Sequence, residues 1–527
     1  MSAITITIDA KPVEVEPGQT VLAAARKLDI DIPTLCHLEK CGPLNSCQVC
    51  LVKVVVNGQS RLAPACGTVA TPGLVVESET VEVHEARRTA LELLFSDHVG
   101  DCLSPCHRLC PLLLNIPAMI RQIESGRLDE AIAAVSDTLP LPSVLGRICH
   151  HPCEQGCRRG NFDSPAAIRD MEQFVAKQNH AATVPHIASC KPRTGKSVAV
   201  VGAGPAGLAA AFYLARNGHH VTVIDRQKNA GGTLRNVPEM ELPATELDAD
   251  ISLLSKMGIE FKPGLELGSQ ITIEGLLRGF SAVLLAVGEI ESSAIEKLGV
   301  SLVGNAIKTD PNNCRTSVPG VFAAGSAVRP VKQVVRAMAE GRAAGECVHQ
   351  FLTDRPVHRP EKPFSSIMGR IEPGELKLFL RSASAASAVK PCDRCSGLSR
   401  REAVAESARC LHCDCRSSGN CVLQHYAQVY GADASRFKSE RRSYEQQIQP
   451  GGVIFEPGKC ILCGICVKLA ETAHETLGLT FVGRGFDVRV AAPFNLEVNE
   501  GLRKVAAECV RHCPTGALEF SNQKPVS

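Results

Sequence analysis

The sequence predicts a multidomain protein that joins α+β domains to one α/β domain. The chain has 527 residues, enough for several domains of ordinary size. Residues 197–226 have the pattern of a strand, a glycine-rich turn, a helix and a second strand, which is how a parallel α/β domain begins. All but three of the 25 cysteines fall into five clusters, at 36–66, 102–110, 149–157, 392–421 and 460–513. We expect five segments along the chain: residues 1–90, 91–190, 195–355, 356–445 and 446–527.

Composition restricts the function before any motif is considered. The formal net charge is +2, which gives no large bias toward nucleic acid or anionic membranes. No apolar stretch approaches the ~20 residues of a membrane span, and the first residues, "MSAITITIDAKPVEVEPGQT", lack a signal-peptide profile. We therefore expect a soluble cytoplasmic protein without a nucleic-acid partner. Cytosolic thiols stay reduced, so clustered cysteines indicate zinc or iron–sulfur sites rather than disulfides. The three isolated residues, Cys190, Cys314 and Cys347, are expected to be inert core thiols.

The first segment, 1–90, reads as a small ferredoxin domain. "SAITITIDAKPVEVE" predicts a β-hairpin and "TVLAAARKLDI" predicts a helix. Four thiols follow in the order C-x10-C-x2-C-x15-C, which can enclose a flat two-iron cluster: Cys36, Cys47, Cys50 and Cys66. Zinc is the alternative, but zinc knuckles usually have two CxxC pairs and only one is present here. Cys41 is surplus, and we expect it to be a neighbour of the cluster.

That order of hairpin, helix and cysteines resembles the N-terminal β-grasp [2Fe–2S] ferredoxin domain of the large iron–sulfur subunit of respiratory complex I. The next stretch, "ARRTALELLFSDHVGDC", is similar to the region where that family binds a [4Fe–4S] cluster through one histidine and three cysteines. His98 precedes Cys102 by four residues, as in the family. The later cysteines are spaced x2 and x5 in the family but x3 and x3 here.

The second segment, 91–190, contains the spacing C-x3-C-x3-C twice, and we expect two short helices and a proline-broken loop between the two copies. It resembles the N-terminal helical domain of the glutamate synthase small subunit and of dihydropyrimidine dehydrogenase, which implies two [4Fe–4S] clusters. The resemblance leads us to expect one cluster held by His98, Cys102, Cys106 and Cys157. The second would be held by Cys110, Cys149, Cys153 and either Glu172 or Gln173.

The third segment, 195–355, carries a dinucleotide-binding motif. Gly202, Gly204 and Gly207 form G-x-G-x-x-G directly after the strand "SVAVV", and the free N–H groups at the following helix N-terminus suit a pyrophosphate. "AGGTLRNVPEMELP" and "SVPGVFAAGSAVRP" resemble the glutamate synthase small subunit, whose first dinucleotide is FAD. Ser326 stands where that family usually has an aspartate. The expected FAD contacts are Gly202, Gly204, Pro205, Ala206, Gly207, Asp225, Arg226, Gly232, Arg235, Gly288, Gly325 and Ser326.

The family's second Rossmann domain, which binds NAD(P)H, has no counterpart in the sequence. Only 123 residues separate Gly202 from Gly325, and residues 230–325 contain no second strand–GxGxxG–helix pattern. We therefore expect a Rossmann-like FAD domain that lacks the NAD(P)H domain, and we do not expect NAD(P)H to bind this chain.

The C-terminal part contains two further groups of cysteines. The group at 392–421 leaves three alternatives open, a cubane, structural zinc or no metal, and for a cubane we expect the ligands Cys410, Cys413, Cys415 and Cys421. Farther on, the pattern C-x2-C-x2-C…C-P predicts a bacterial-type [4Fe–4S] ferredoxin domain held by Cys460, Cys463, Cys466 and Cys513. This last stretch resembles the second ferredoxin domain of the complex I large subunit and of formate dehydrogenases. Cys509 is expected to be spare.

One [2Fe–2S] cluster, two to four [4Fe–4S] clusters and one FAD predict an electron-transfer subunit of a larger redox complex. We find no nucleophile motif, metalloprotease motif or Walker loop, so no catalytic residue is assigned and whether the chain is itself an enzyme stays open. The resemblances imply a molybdopterin-type partner, such as a formate dehydrogenase, or a hydrogenase. One alternative is an NAD(P)H-dependent oxidoreductase like the glutamate synthase small subunit. Another is a scaffold in which the cofactors only stabilise the fold.

Overall fold

The computed structural model describes residues 3–56, 58–290, 299–391, 396–448 and 452–520. It contains two compact units. The first unit combines Met1–Ser104, Pro363–Arg381 and Cys413–Ser527, and the second combines Pro105–Lys362 and Ser382–His412. The chain therefore leaves the first unit twice and returns twice. Cys392 and Cys395 of the fourth cysteine cluster lie outside the described residues.

The N-terminal part of the first unit is a five-stranded mixed sheet in the order β2-β1-β7-β5-β6. The predicted hairpin is confirmed, and its turn residues Asp9 and Ala10 have φ of 47° and 64°, which suits the twist of a tight hairpin. The predicted helix begins after Thr20, whose hydroxyl caps it. The elements are β1 (Ile4–Ile8), β2 (Lys11–Val15), α1 (Val21–Lys27), β3 (His37–Leu38), β4 (Gly42–Pro43), β5 (Leu51–Val56), β6 (Gln59–Pro64), β7 (Val75–Glu77) and α2 (Val81–Leu94).

The second unit begins with a helical part that contains the two C-x3-C-x3-C runs. Three helices, not two, lie between the runs, because the predicted proline-broken loop contains a helix that starts at Pro142. Proline suits the first helical position, where its fixed φ is already helical and no N–H is needed. The helices are α3 (Pro105–Leu109), α4 (Ile116–Glu124), α5 (Leu128–Ser136), α6 (Pro142–Ile148), α7 (Pro152–Gln155) and α8 (Ile168–Ala181).

The rest of the second unit is built on a five-stranded parallel sheet in the order β10-β9-β8-β11-β14. Helix α12 packs along α9, the helix that follows the glycine-rich turn. The elements are β8 (Ser197–Val201), α9 (Pro205–Arg216), β9 (His220–Asp225), α10 (Ala244–Lys256), β10 (Glu260–Pro263), α11 (Ile273–Gly279), β11 (Ala282–Leu285), β12 (Leu302–Val303), β13 (Ala306–Ile307), β14 (Val321–Ala323) and α12 (Val334–Leu352). Between β11 and β14, the strands of the described residues are the short antiparallel pair β12 and β13.

The C-terminal part returns to the first unit, apart from one helix that belongs to the second. That helix is α14 (Arg400–Ser407). The elements of the first unit are α13 (Pro373–Leu380), α15 (Val422–Val429), β15 (Gln447–Ile448), β16 (Val453–Phe455), α16 (Ile465–Thr472), β17 (Thr480–Val482), β18 (Arg489–Ala491), α17 (Val498–Gly501), α18 (Ala506–His512) and β19 (Leu518–Phe520). Within the described ranges, no helix is both long and apolar enough to cross a membrane.

Candidate functional site

The four predicted thiols of the N-terminal ferredoxin segment come together in the first unit, all of them buried. The Sγ atoms of Cys50 and Cys66 are 3.3 Å apart, and the backbone N–H of Cys47 donates to Cys36 Sγ at 3.4 Å. The neighbouring thiols of Cys47 and Cys66 lower the pKa of Cys36 below its usual range. Asn45, which sequence reasoning missed, accepts from the Cys66 thiol at 3.2 Å. The same contacts raise the pKa of Cys47 and of Cys66. The four thiols therefore lie within reach of one another, as the ligands of one metal site must.

The four predicted thiols of the C-terminal ferredoxin segment also share one site. Burial, and then the charges of Cys463, Cys460 and Cys513, raise the pKa of Cys466 well above its usual value. A thiolate raises the pKa of another thiol only when the two are close, so the four sulfur atoms are neighbours. Cys509, expected to be spare, is buried, and its Sγ lies 3.9 Å from the backbone oxygen of Cys466.

A third set in the first unit joins residues that are far apart in sequence. Cys102 lies beside Cys415, whose backbone N–H donates to the Cys102 carbonyl at 3.3 Å. The pKa of Cys421 is raised to about 12 by burial and then by Cys415 and Cys102. The returning segment at 363–381 also contacts Cys102, because Ser366 N–H donates to its Sγ at 3.4 Å.

His98, the predicted histidine ligand, is buried in the same unit. Its Nδ1 has no hydrogen-bond partner among the described residues. Burial, and then the charge of Lys459, lowers the pKa of His98 to about 3, so the ring is neutral. A buried polar atom without a partner is costly unless something binds it. A neutral imidazole with a free nitrogen is also the form in which histidine binds a metal. His98 therefore fits a metal-ligand role.

In the second unit, one set of thiols surrounds a buried acid. Cys110, Cys149 and Cys153 are all buried, and after burial itself the charge of Glu172 is the largest cause that raises the pKa of each. Burial raises the pKa of Glu172 to about 8. Its neighbour Gln173 is also buried on α8.

The other thiols of the second unit are brought together by packing of distant segments. Cys157 lies close enough to Cys410 for that thiolate to raise its pKa, after burial. The short helices α3 and α7, which precede Cys110 and Cys157, pack together, and α3 carries Cys106. His412 N–H donates to Cys410 Sγ at 3.4 Å.

Two buried arginines fix the segment that carries Cys410. Arg159 Nη1 donates to the carbonyl oxygens of Ser384 and Arg409 at 2.8 and 3.1 Å. Arg409 in turn donates to Glu406, and it binds Asp163 at 3.1 Å. Sequence reasoning missed this network, because most of its contacts join residues more than two hundred positions apart and give no local signal.

The structure therefore divides the predicted cubane group of Cys410, Cys413, Cys415 and Cys421. Cys410 belongs to the second unit, beside Cys157, whereas the other three belong to the first unit, where Cys415 and Cys421 lie beside Cys102. Within the described residues, no three His, Cys, Asp or Glu side chains form an arrangement suited to a single metal ion.

The predicted dinucleotide loop lies at the carboxyl end of β8. Gly202 has φ of 111°, and a Cβ there would lie 2.2 Å from the Ala286 oxygen. A Cβ on Gly207 would lie 1.9 Å from the Gly202 oxygen, so only glycine permits this close approach of helix and turn. Gly204, in contrast, has open space where its Cβ would stand. The Asp225 carboxylate accepts from Ala203 N–H at 2.6 Å and supports the loop.

The other predicted FAD contacts are only partly assembled around this loop. A Cβ on Gly232 would be 2.8 Å from Gly204 Cα, and one on Gly325 would be 2.8 Å from Ala206 Cβ. Gly288 borders open space. Ser326 Oγ accepts from Val331 N–H at 3.4 Å. The two predicted arginines have protein partners: Arg226 pairs with Glu266, and Arg235 with Asp248.

Three parts of the chain match known families of domains. Residues 1–81 match a 2Fe-2S iron-sulfur cluster binding domain, and residues 79–184 match domain II of dihydropyrimidine dehydrogenase, with a 4Fe-4S cluster. Residues 200–256 match an NAD(P)-binding Rossmann-like domain. The chain thus contains a two-iron ferredoxin domain, a [4Fe–4S] domain and a Rossmann-like domain, as the sequence predicted.

Three relatives share parts of the chain. A stretch of 271 residues, 47% of this chain and 38% of the relative, is 34% identical to the NADP(+)-dependent formate dehydrogenase subunit beta of Moorella thermoacetica. A stretch of 190 residues, 35% of this chain and 28% of the relative, is 39% identical to the NADPH-Fe(3+) oxidoreductase subunit beta of Geobacter sulfurreducens. A stretch of 192 residues, 36% of this chain and 39% of the relative, is 40% identical to the glutamate synthase [NADPH] small chain of Mycobacterium tuberculosis. The matched stretches cover less than two fifths of each relative.

Proposed function

We propose that this chain is an electron-transfer iron–sulfur flavoprotein subunit of a larger redox complex. The observation that carries the proposal is the set of buried thiols that converge in both units, although many of them are remote in sequence. When bound, iron–sulfur clusters carry single electrons, and a flavin exchanges electron pairs with single electrons. The protein supplies the ligands, the low-dielectric surroundings and the spacing.

For the first unit, we propose three clusters. A [2Fe–2S] cluster would use Cys36, Cys47, Cys50 and Cys66, and a [4Fe–4S] cluster would use Cys460, Cys463, Cys466 and Cys513. A second [4Fe–4S] cluster would use Cys102, Cys415 and Cys421 with His98. This last set replaces the predicted grouping of His98 and Cys102 with Cys106 and Cys157. It is supported by the contact between Cys102 and Cys415, and by the position of Cys421 near both of them.

Contacts between these sets support an order of electron transfer in the first unit. Ser46, in the loop between Cys36 and Cys47, donates to the Cys463 carbonyl at 3.3 Å, and Cys36 lies near the Cys463 thiol. On the other side, Cys421 lies near Cys513. The C-terminal cluster would therefore stand between the two-iron cluster and the cluster at Cys102.

For the second unit, we propose two [4Fe–4S] clusters and one FAD. One cluster would use Cys110, Cys149 and Cys153 with Glu172 or Gln173, which is the set that the sequence predicted. The other cluster would use Cys106, Cys157 and Cys410. Cys413 is still predicted to be a cluster ligand, but we do not assign it to a particular cluster. FAD would bind at the glycine loop, where the open space at Gly204 leaves room for a pyrophosphate.

The proposed partner is a catalytic subunit of the molybdopterin or hydrogenase type. The similarity to a beta subunit of a formate dehydrogenase supports this class of partner. The second candidate function is an NAD(P)H-dependent oxidoreductase, which the three relatives favour because each name includes NADP or NADPH. Between β11 and β14, the described residues form only one strand pair, the short hairpin of β12 and β13. This argues against the second function, because the NAD(P)H-binding domain of the glutamate synthase small subunit would be expected in this part of the chain.

Anaerobic stopped-flow absorbance distinguishes the two functions. Purified chain is mixed with NADH or NADPH, and the flavin band near its oxidised maximum is followed. We expect slow or no bleaching with the chain alone, while dithionite bleaches it fully. Rapid bleaching by either nucleotide without a partner would establish the second function instead.

A further inference from the structure

A lysine is buried beside the third thiol set of the first unit. Lys459 directly precedes Cys460 in sequence, and only 4% of its side chain is exposed. The backbone N–H of Val99 donates to the Gly458 carbonyl at 2.7 Å, which fixes the Lys459 turn against the loop between His98 and Cys102. The Lys459 side chain then crosses Gly100, where a Cβ would lie 2.7 Å from Lys459 Cε. Lysine is rarely buried unless its charge is paired.

The partner of Lys459 is an equally buried carboxylate. Glu456 forms an ion pair with Lys459, and its Oε1 accepts from the Tyr444 hydroxyl at 2.6 Å and from Gln446 Nε2 at 2.7 Å. These two neutral donors hold the carboxylate in place without adding charge. The result is one fixed positive and one fixed negative charge in a low-dielectric interior, where both act strongly on nearby groups.

The positive charge acts on the thiol set rather than only on Glu456. Gly100, which the Lys459 side chain crosses, lies two residues from His98 and two residues from Cys102. The backbone N–H of Cys415 donates to the Cys102 carbonyl at 3.3 Å. Two of the four ligands proposed for this cluster therefore lie within two residues of the backbone that Lys459 contacts, and a third is hydrogen-bonded to one of them.

We propose that Lys459 and Glu456 set the reduction potential of the cluster at Cys102, Cys415 and Cys421, with Lys459 raising it and Glu456 limiting that rise. This inference rests on the proposed function, because it needs a cluster at these thiols. Reduction adds one negative charge to a cluster, so a nearby cation stabilises the reduced form, and a nearby anion destabilises it. Lys459 is a positioning residue in this account, since it acts through the ligands and need not touch iron.

The test is a potentiometric titration followed by EPR, on the full chain prepared anaerobically. In Lys459→Met, the reduced-to-oxidised ratio of one [4Fe–4S] signal at a fixed potential should fall about tenfold, which for one electron corresponds to a 59 mV lower potential. Glu456→Gln should move the same signal in the opposite direction, and Lys459→Arg should restore it. Lys468→Met is the matched control, because Lys468 is a partly exposed lysine on α16 paired with Glu471, and it should move this signal little.

The outcomes separate this inference from the proposed function. If the unmodified chain shows no [4Fe–4S] signal at all, the proposed function fails. If the signals are present but Lys459→Met and Glu456→Gln shift none of them, or shift the same one in the same direction, the inference fails and the proposed function stands. If Lys459→Met does not fold, Glu456→Gln decides alone: a raised potential supports the inference, and an unchanged or lowered one overturns it.

Discussion

Two cysteines of the C-terminal region, four residues apart, have different surroundings. The charge of Cys513 raises the pKa of Cys460, Cys463 and Cys466, whereas among these three Cys509 raises only that of Cys466. The Cys509 Sγ lies 3.9 Å from the backbone oxygen of Cys466. Both belong to the same chain segment at the end of α18, so they form a matched pair for substitution.

We expect Cys513→Ser to remove one [4Fe–4S] signal and Cys509→Ser to leave all signals in place. A serine oxygen is a poorer ligand for iron than thiolate sulfur, so the loss of a true ligand destabilises the cluster. Iron content and EPR of the dithionite-reduced variants measure this. If Cys509→Ser loses that signal and Cys513→Ser retains it, then Cys509 is the cluster ligand and Cys513 is the spare thiol.

At the scale of the element, the turn between β8 and α9 is the proposed site of the dinucleotide's pyrophosphate. Gly204 and Gly279 are matched glycines, because a Cβ would meet nothing within 4 Å at either position. Gly204 lies at the start of α9 in the proposed pyrophosphate site, whereas Gly279 ends α11.

We expect Gly204→Ala to fold but to bind FAD at least tenfold more weakly, since a methyl group would occupy space that a phosphate needs. Gly279→Ala should keep both its fold and its flavin. Flavin content after gel filtration, with circular dichroism as the measure of folding, tests both variants. Equal flavin content in the two variants would exclude this loop as the phosphate site.

Helices α8 and α10 are joined by ion pairs between a histidine and two carboxylates, and these pairs make the free energy of unfolding depend on pH. His180 Nε2 lies 3.1 Å from Asp250 Oδ1, and Glu246 lies on its other side. Burial alone would lower the pKa of His180, but the neighbouring carboxylates of Asp250 and Glu246 raise it to about 9. A raised pKa in the folded state means that the pair stabilises the fold fully below pH ~6.5 and loses this effect as the pH rises through 9.

We therefore expect His180→Gln to cost about 2 kcal/mol at pH 6 and much less at pH 10. Urea unfolding of the second unit, followed at both pH values in the chain and the variant, measures the difference. A loss of the same size at both pH values would show that His180 contributes by packing and not by charge.

At this scale, the elements that the sequence predicted best are those with strong local signals. The hairpin before Thr20, the strand–turn–helix at Gly202 and the C-x2-C-x2-C loop at Cys460 each depend on neighbouring residues, and each lies where it was expected. The helix that begins at Pro142 is not predicted, because prolines indicate a loop in this stretch, although proline is also favoured at the first helical position.

For the molecule as a whole, the local spacing of cysteines does not show which distant thiols lie close together. Cys102 and Cys106 are part of one evenly spaced run, yet they fall in different units, as do Cys410 and Cys415. Cys102 instead lies beside Cys415, more than three hundred residues later. Such a pairing depends on how the chain passes between units, which leaves no periodic signal in the sequence. For the same reason, Lys459 could not be recognised as a buried charge.

The whole account depends on whether these thiols hold iron and sulfide around a single flavin. The most direct measurement is the iron, acid-labile sulfide and flavin content of the anaerobically purified chain, with EPR of the reduced form. We predict about 18 iron atoms and one FAD per chain, with a two-iron signal distinct from the cubane signals, since the proposed sets hold one two-iron and four four-iron clusters. A colourless preparation, or one in which zinc replaces iron, would contradict the account.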